Sequence, residues 1–211
     1  PGQTIATDTG HAAVLGTDRW IDLRTAPKAW SADVWADGGI ISVNHPVKAD
    51  AGWVTPLPRR PDLAEVWSGG WDQHDRAALA WWTAVGPEIV PVGGSGWTGP
   101  GSSSSLGSPT TWVLAEGDDV LDGLRHGRTA ISAGPDGPLV LPVANQLVVL
   151  GGAGLQLVGW DGTARTIQRD EERLPLPSTP TFLRDGDRTV AISAGGSAGA
   201  SGIKEAIHHD T

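Results

Sequence analysis

Between Gly93 and Trp112 the chain reads GGSGWTGPGSSSSLGSPTTW, twenty residues without an Asp, Glu, His, Cys, Lys or Arg. An apolar run, Ile89-Val90-Pro91-Val92, precedes it, and another, Thr111-Trp112-Val113-Leu114, follows. A strand that ends in a glycine-rich loop is where α/β proteins usually place their chemistry. The stretch therefore has the position of an active-site loop and none of the usual residues.

The 211 residues suffice for one large domain, or for one domain with a small appendage. With 39% apolar residues and 11 Trp, the chain can bury a core. It has no Met, which implies a processed chain or a piece of a longer one. It has no Cys, which excludes disulfides, thiolate metal sites and cysteine nucleophiles. The net charge of −9 argues against binding to nucleic acid or to an anionic membrane. No signal segment opens the chain. The compartment stays open, with a soluble, cytoplasmic protein as the default expectation. The uncharged run Leu139 to Trp160 approaches the length of a membrane span. Pro142, Asn145, Gln146, Gln156 and several glycines break it into short apolar clusters, so it reads as strands.

Strands and helices alternate along the first two thirds. Gln3–Thr7 reads as a short strand or loop and Ala12–Gly16 as an apolar run, while Ile40–Val43, Leu63–Trp67, Ile89–Val92, Thr111–Ala115 and Thr129–Ser132 read as short strands. Helices are expected at Trp30–Ala36, Asp72–Val85 and Asp118–His126. Gly38-Gly39, Gly86-Pro87 and Gly127 stop them, and Asp72, Asp118 and Asp119 sit at helix starts. Such alternation argues for a parallel α/β sheet or barrel. After residue 138 the pattern becomes all-β. Strands are expected at 139–143, 146–150, 155–160 and 189–193, with turns at Asp161-Gly162 and Asp185-Gly186. Gly195 to Gly202 is low complexity and reads as the start of a flexible tail.

The succession PGQTIATDTGHAAVLG (1–16), GGIISVNHP (38–46), LAEVWSGGWD (63–72), VPVGGSGWTGPG with LGSPTTWVLAEG (90–117) and LDGLRHGRTAISAGPDGP (121–138) resembles the PHP-domain metallohydrolases. It is most similar to the CehA/McbA-like branch, which includes carbaryl-hydrolysing enzymes. The resemblance implies an α/β fold: residues 1–138 as the C-terminal part of a distorted (β/α)7 barrel, a small β appendage over 139–194, and a flexible tail over 195–211. It implies divalent metal ions (Zn, Mn or Fe) at strand ends, and a metal-bound hydroxide that attacks a phosphoester, carbamate or acyl ester. It implies a small-molecule substrate, and self-association through the exposed edge of a partial barrel.

Carried over residue by residue, the resemblance gives a depleted metal site. The family's early His-x-His motif has no counterpart here. Its glutamate ligand falls on Thr4. The histidines of its "GH" and "HP" motifs are present as His11 and His45. Its late Asp and His ligands fall on Gly96 and Thr98. The expectation is therefore a catalytically impaired hydrolase, or a non-catalytic binding or scaffolding module on the same fold. Asp8, near His11, is an oxygen donor by position only.

Glu65 reads either as a strand-end carboxylate bonded to a neighbouring loop or as a group that orients His45. Arg128, in GRT, reads as a structural tie or an anion-binding group in the substrate pocket. His74 and His126 read as solvated, and the His208-His209 pair in the tail is a weak metal signal. Gly195-Gly196-Ser197-Ala198-Gly199 matches G-x-S-x-G, but too little chain follows to supply the acid and histidine of a triad. The serine run 102–105 lacks the lysine of a phosphate-binding loop.

Overall fold

A computed structural model describes residues 1–47, 52–69, 77–86 and 88–197. The chain begins with an antiparallel hairpin, β1 (Gly2–Thr7) and β2 (Gly10–Leu15). Helix α1 (Pro27–Ala36) starts on a proline at its first turn, where the missing N–H costs nothing. Strand β3 (Ile40–Asn44) follows, then β4 (Leu63–Ser68), α2 (Ala77–Val85) and β5 (Val90–Gly94). These five strands form one sheet in the order β1-β2-β3-β4-β5. The first two pairings are antiparallel and the last two parallel.

The rest of the chain contributes β6 (Thr110–Val113), α3 (Val120–Arg125), β7 (Thr129–Ser132), β8 (Leu139–Val143), β9 (Gln146–Leu150), β10 (Gln156–Gly159), β11 (Ala164–Thr166), β12 (Glu171–Pro175), β13 (Thr181–Asp185) and β14 (Arg188–Ser193). Six of these strands pair antiparallel in the order β11-β10-β13-β14-β7-β6, and three in the order β12-β9-β8. The 138/139 boundary falls between β7 and β8, and the six-stranded sheet draws strands from both sides of it.

The expected (β/α)7 barrel is not formed. Among the described residues there are fourteen strands in three sheets and three α-helices, with no barrel. Most of the expected elements exist, but the pairing directions differ from the expectation. Helix α1 joins two antiparallel strands, β2 and β3, and α3 joins two more, β6 and β7. Strand–helix alternation therefore did not mark parallel crossovers at either place. Of the three helices, α2 alone lies between neighbouring parallel strands. No helix among the described residues is long and apolar enough to cross a membrane. The uncharged run 139–160 is instead β8, β9 and β10.

Three apolar clusters hold these layers. On one face of the five-stranded sheet, Ile5, Val14 and Ile41 pack against Trp30 and Val34 of α1. Leu63, Val66 and Ile89 meet Leu79 and Trp82 of α2, and the same cluster reaches Ile131, Phe182 and Ile192 of the six-stranded sheet. Trp82 is fully buried, and its ring N–H donates to the Ile89 carbonyl at 2.7 Å. Val140, Val149, Leu157 and Leu183 form the third cluster, between the two C-terminal sheets.

Side chains bridge the free edge of β5 to the next sheet. The Thr111 hydroxyl accepts from the Gly93 N–H at 2.7 Å and donates to the Gly93 carbonyl at 2.8 Å. The Thr129 hydroxyl donates to the Pro91 carbonyl at 3.3 Å. Gly93 is required there because a Cβ would stand 2.5 Å from Cγ2 of Ile131.

Candidate functional site

The pleat decides which residues of the five-stranded sheet share a face. Register pairs Leu15 with Ile40, Ala13 with Ser42 and His11 with Asn44. These residues lie on the face away from α1. Leu63 and Glu65 of β4 share it, as do Val92 and Gly94 of β5. Thr111 and Val113 of β6 and Leu124 of α3 close the far side. All of these except His11 and Ile40 line an open cavity of about 460 Å³, within the usual range for a small-molecule site. Its walls are mostly apolar, and its polar end consists of Asn44, His45 and Glu65.

His45 follows β3 directly and has φ +33. A non-glycine residue in that region costs about 1–3 kcal/mol and is held only where its surroundings over-determine it. Here the surroundings are Glu65. Its Oε2 lies 3.2 Å from the His45 backbone N–H and 3.2 Å from the His45 Nδ1. One carboxylate oxygen thus receives both nitrogens of a residue turned back on itself. Gly94 makes room for that carboxylate, since a Cβ there would stand 3.0 Å from Glu65 Oε1.

The other ring nitrogen, His45 Nε2, lies 3.0 Å from His11 Nδ1. The rings meet edge to face with centroids 5.1 Å apart. A neutral imidazole has one donor and one acceptor nitrogen. The Glu65 carboxylate beside Nδ1 favours a proton there, an arrangement in which Nε2 accepts from His11 Nδ1. Glu65 thus stands where it can orient a two-histidine chain.

The structure therefore brings together three of the residues singled out in the sequence, His11, His45 and Glu65. The others lie elsewhere. Thr4 is exposed on β1 opposite Ala13. Gly96 lines the cavity with φ +59, and Thr98 is exposed beyond it. Asp8 is exposed in the β1–β2 turn.

Arg128 does not reach the cavity. Its guanidinium binds the Asp122 carboxylate and donates to the Leu114 carbonyl at 3.0 Å, tying α3 to β6. That guanidinium, with His126 beyond it, holds the Asp122 carboxyl below the usual range. His126 itself lies 2.9 Å from Asp122. His74, His208, His209 and the 198–211 part of the tail lie outside the described residues, as does Asp72.

Sequence reasoning passed over Asn44, Ser42, Gly94 and Thr111. The Ser42 hydroxyl donates to Asn44 Oδ1 at 3.3 Å on the cavity face. The i, i+2 spacing of Ser42 and Asn44 just before His45 was the available signal. Asp62 was also unmarked. It accepts from the Ile41 N–H and the Trp35 indole, both at 2.8 Å, and has a structural role.

The chemistry of the donor set tests whether a metal fits. A catalytic zinc site uses three protein ligands with water in the fourth position. Here two imidazole nitrogens share one point, and Glu65 occupies the far nitrogen of His45 rather than that point. Among the described residues no group of three His, Asp or Glu side chains is arranged to hold a metal ion. The residues present do not complete the site that the resemblance implied. No family model, curated protein or solved structure matches this chain.

Proposed function

We propose that this chain is a non-catalytic ligand-binding module, with its ligand in the cavity that His45 and Glu65 line. The observation that carries this reading is the division of labour at His45. One ring nitrogen lies against a buried carboxylate and the other against His11, with no third His, Asp or Glu among the described residues completing a metal site there. Such a pair can orient and hydrogen-bond a ligand. It cannot by itself hold a Lewis acid with an open position. The apolar walls suit a small molecule with an apolar body and one polar end.

The ordered sequence motifs support kinship with the PHP-domain metallohydrolases at the level of sequence, without their barrel. Thr4, Gly96 and Thr98 then stand where ligands were lost. A second reading, a metal-dependent hydrolase of the phosphoester, carbamate or acyl ester class, is favoured by one feature, the carboxylate–histidine pair itself. Hydrolysis of p-nitrophenyl phosphate and of 1-naphthyl N-methylcarbamate, with Zn, Mn or Fe added, separates the two readings. The binding-module reading expects no turnover above the metal-only blank. Turnover that His45→Ala abolishes overturns it.

A further inference from the structure

A second cavity, of about 470 Å³, lies where the end of β4 and α2 meet the hairpin β13–β14. It shares no lining residue with the cavity at His45. Its wall is aromatic: Trp67, Trp160 and Phe182. Trp160 is 44% exposed at its rim, with its ring centroid 5.8 Å from that of Phe182. That separation is within the range of packed aromatic pairs, so the exposed indole is held in place by the ring beneath it.

Two guanidinium groups, Arg184 and Arg188, line the same cavity, and no carboxylate side chain does so among the described residues. Asp185 and Asp187 sit in the adjoining turn and are exposed, but neither lines it. Arg188 has no ion pair among the described residues. In a chain of net charge −9, the charged side chains that line this cavity among the described residues are both cationic.

The hairpin is shaped to produce it. The register of β13 and β14 shifts between Leu183 and Arg184, so Arg184 pairs with Thr189 rather than Val190. Val190 joins the apolar cluster between the C-terminal sheets, and Thr189 lines the cavity. Bulges of this kind re-aim side chains beside binding sites. Arg184 stays on the same strand face as Phe182, two residues away.

We propose that this cavity binds a small aromatic carboxylate, its ring stacked against Trp160 and Phe182 and its carboxylate held by Arg188 and Arg184. Planar guanidinium groups suit a planar carboxylate, and charge assistance roughly doubles such hydrogen bonds over neutral ones. The proposal is independent of the reading given to the His45 cavity.

Calorimetric titration of the whole chain with 2-naphthoate and with its uncharged isostere 2-naphthamide tests it. The expected result is one-to-one binding of 2-naphthoate, about tenfold or more tighter than that of 2-naphthamide. Arg188→Gln should weaken 2-naphthoate several-fold toward the affinity of the amide, with Arg184 still present, and Trp160→Ala should weaken both probes. Both positions are exposed, and an unchanged thermal melt confirms that each variant folds. His45→Ala should leave both affinities unchanged. Absence of 2-naphthoate binding, equal affinity for the two probes, or binding lost in His45→Ala and retained in Arg188→Gln overturns the proposal.

Discussion

Glu65 on β4 and Glu172 on β12 are each only 7% exposed, yet they are compensated in opposite ways. Glu172 accepts from the Gln168 backbone N–H at 2.8 Å and pairs with the Arg165 guanidinium. The Gln168 N–H first, and the Arg165 charge after it, hold its carboxyl below the usual range. Permanent donors therefore satisfy it, and it crosses between the β10–β11 hairpin and β12. Among the described residues Glu65 has no such donors. Both of its observed partners belong to one residue, His45, whose backbone is turned to φ +33 to supply them. Permanently paired carboxylates stabilise folds. A carboxylate whose observed partners all belong to one histidine at a cavity is placed to orient that histidine.

Variants can break or sharpen this contrast. Glu172→Ala should give the largest fall in melting temperature of the set, because it strips the donors at Gln168 and Arg165 of their partner. It should leave ligand binding at the His45 cavity unaffected. Thr111→Val comes next. It removes a hydroxyl that satisfies both the N–H and the carbonyl of Gly93, and should cost about 1–3 kcal/mol by denaturant unfolding. Because Thr111 also lines the cavity, its binding should weaken as well.

Glu65→Gln should change stability by less than about 1 kcal/mol, since the amide oxygen still accepts from His45. Its effect should appear instead in the histidine ring resonances. His45 should populate the Nδ1–H tautomer alone in the parent chain and lose that single state in the variant. If Glu65→Gln unfolds the chain as readily as Glu172→Ala does, the two glutamates play the same role and the contrast fails.

The smallest effect is on the acid side. Asp22 is lowered to about 2, chiefly by its side-chain hydrogen bond with Arg24, and Glu172, Asp37, Asp122 and Asp161 are also lowered. Groups depressed in the folded state bind protons less readily there than in the unfolded chain. Their stabilisation is complete above the ordinary carboxylate range near pH 4, and is lost as pH falls through their folded values, toward about 2 for Asp22. The exposed Asp22–Arg24 pair contributes little of this because solvent screens it. Thermal melts between those limits should show stability falling with acidity, with a shallower slope in Glu172→Gln.

Much of the element list was legible because its signals are local. Asp119 caps α3, accepting from the Asp122 N–H at 2.9 Å, and Gly127 follows with φ +65. Gly162 and Gly186 adopt the positive φ that their Asp-Gly turns require. Three strands were missed. Thr181–Asp185 and Glu171–Pro175 carry charges and a proline that dilute their pattern, and Ala164–Thr166 is too short to have one.

Pairing direction was not legible at all. A helix between two strands has the same sequence whether the strands are parallel or antiparallel, and α1 shows the second case. At the site, His11 and His45 could be placed at strand ends. Their 3.0 Å approach follows from the His11–Asn44 register, which no local pattern encodes. The bond from Thr111 to Gly93 spans 18 residues and was invisible for the same reason.

Metal content tests the central claim most directly. The chain, equilibrated with Zn, Mn or Fe and then passed through a desalting column, can be assayed for bound metal per molecule alongside His45→Ala. Two histidines with their carboxylate turned to the far nitrogen should retain well under one equivalent, and the variant should not differ. One retained equivalent that His45→Ala removes would contradict the account and return the chain to the metal-dependent hydrolases.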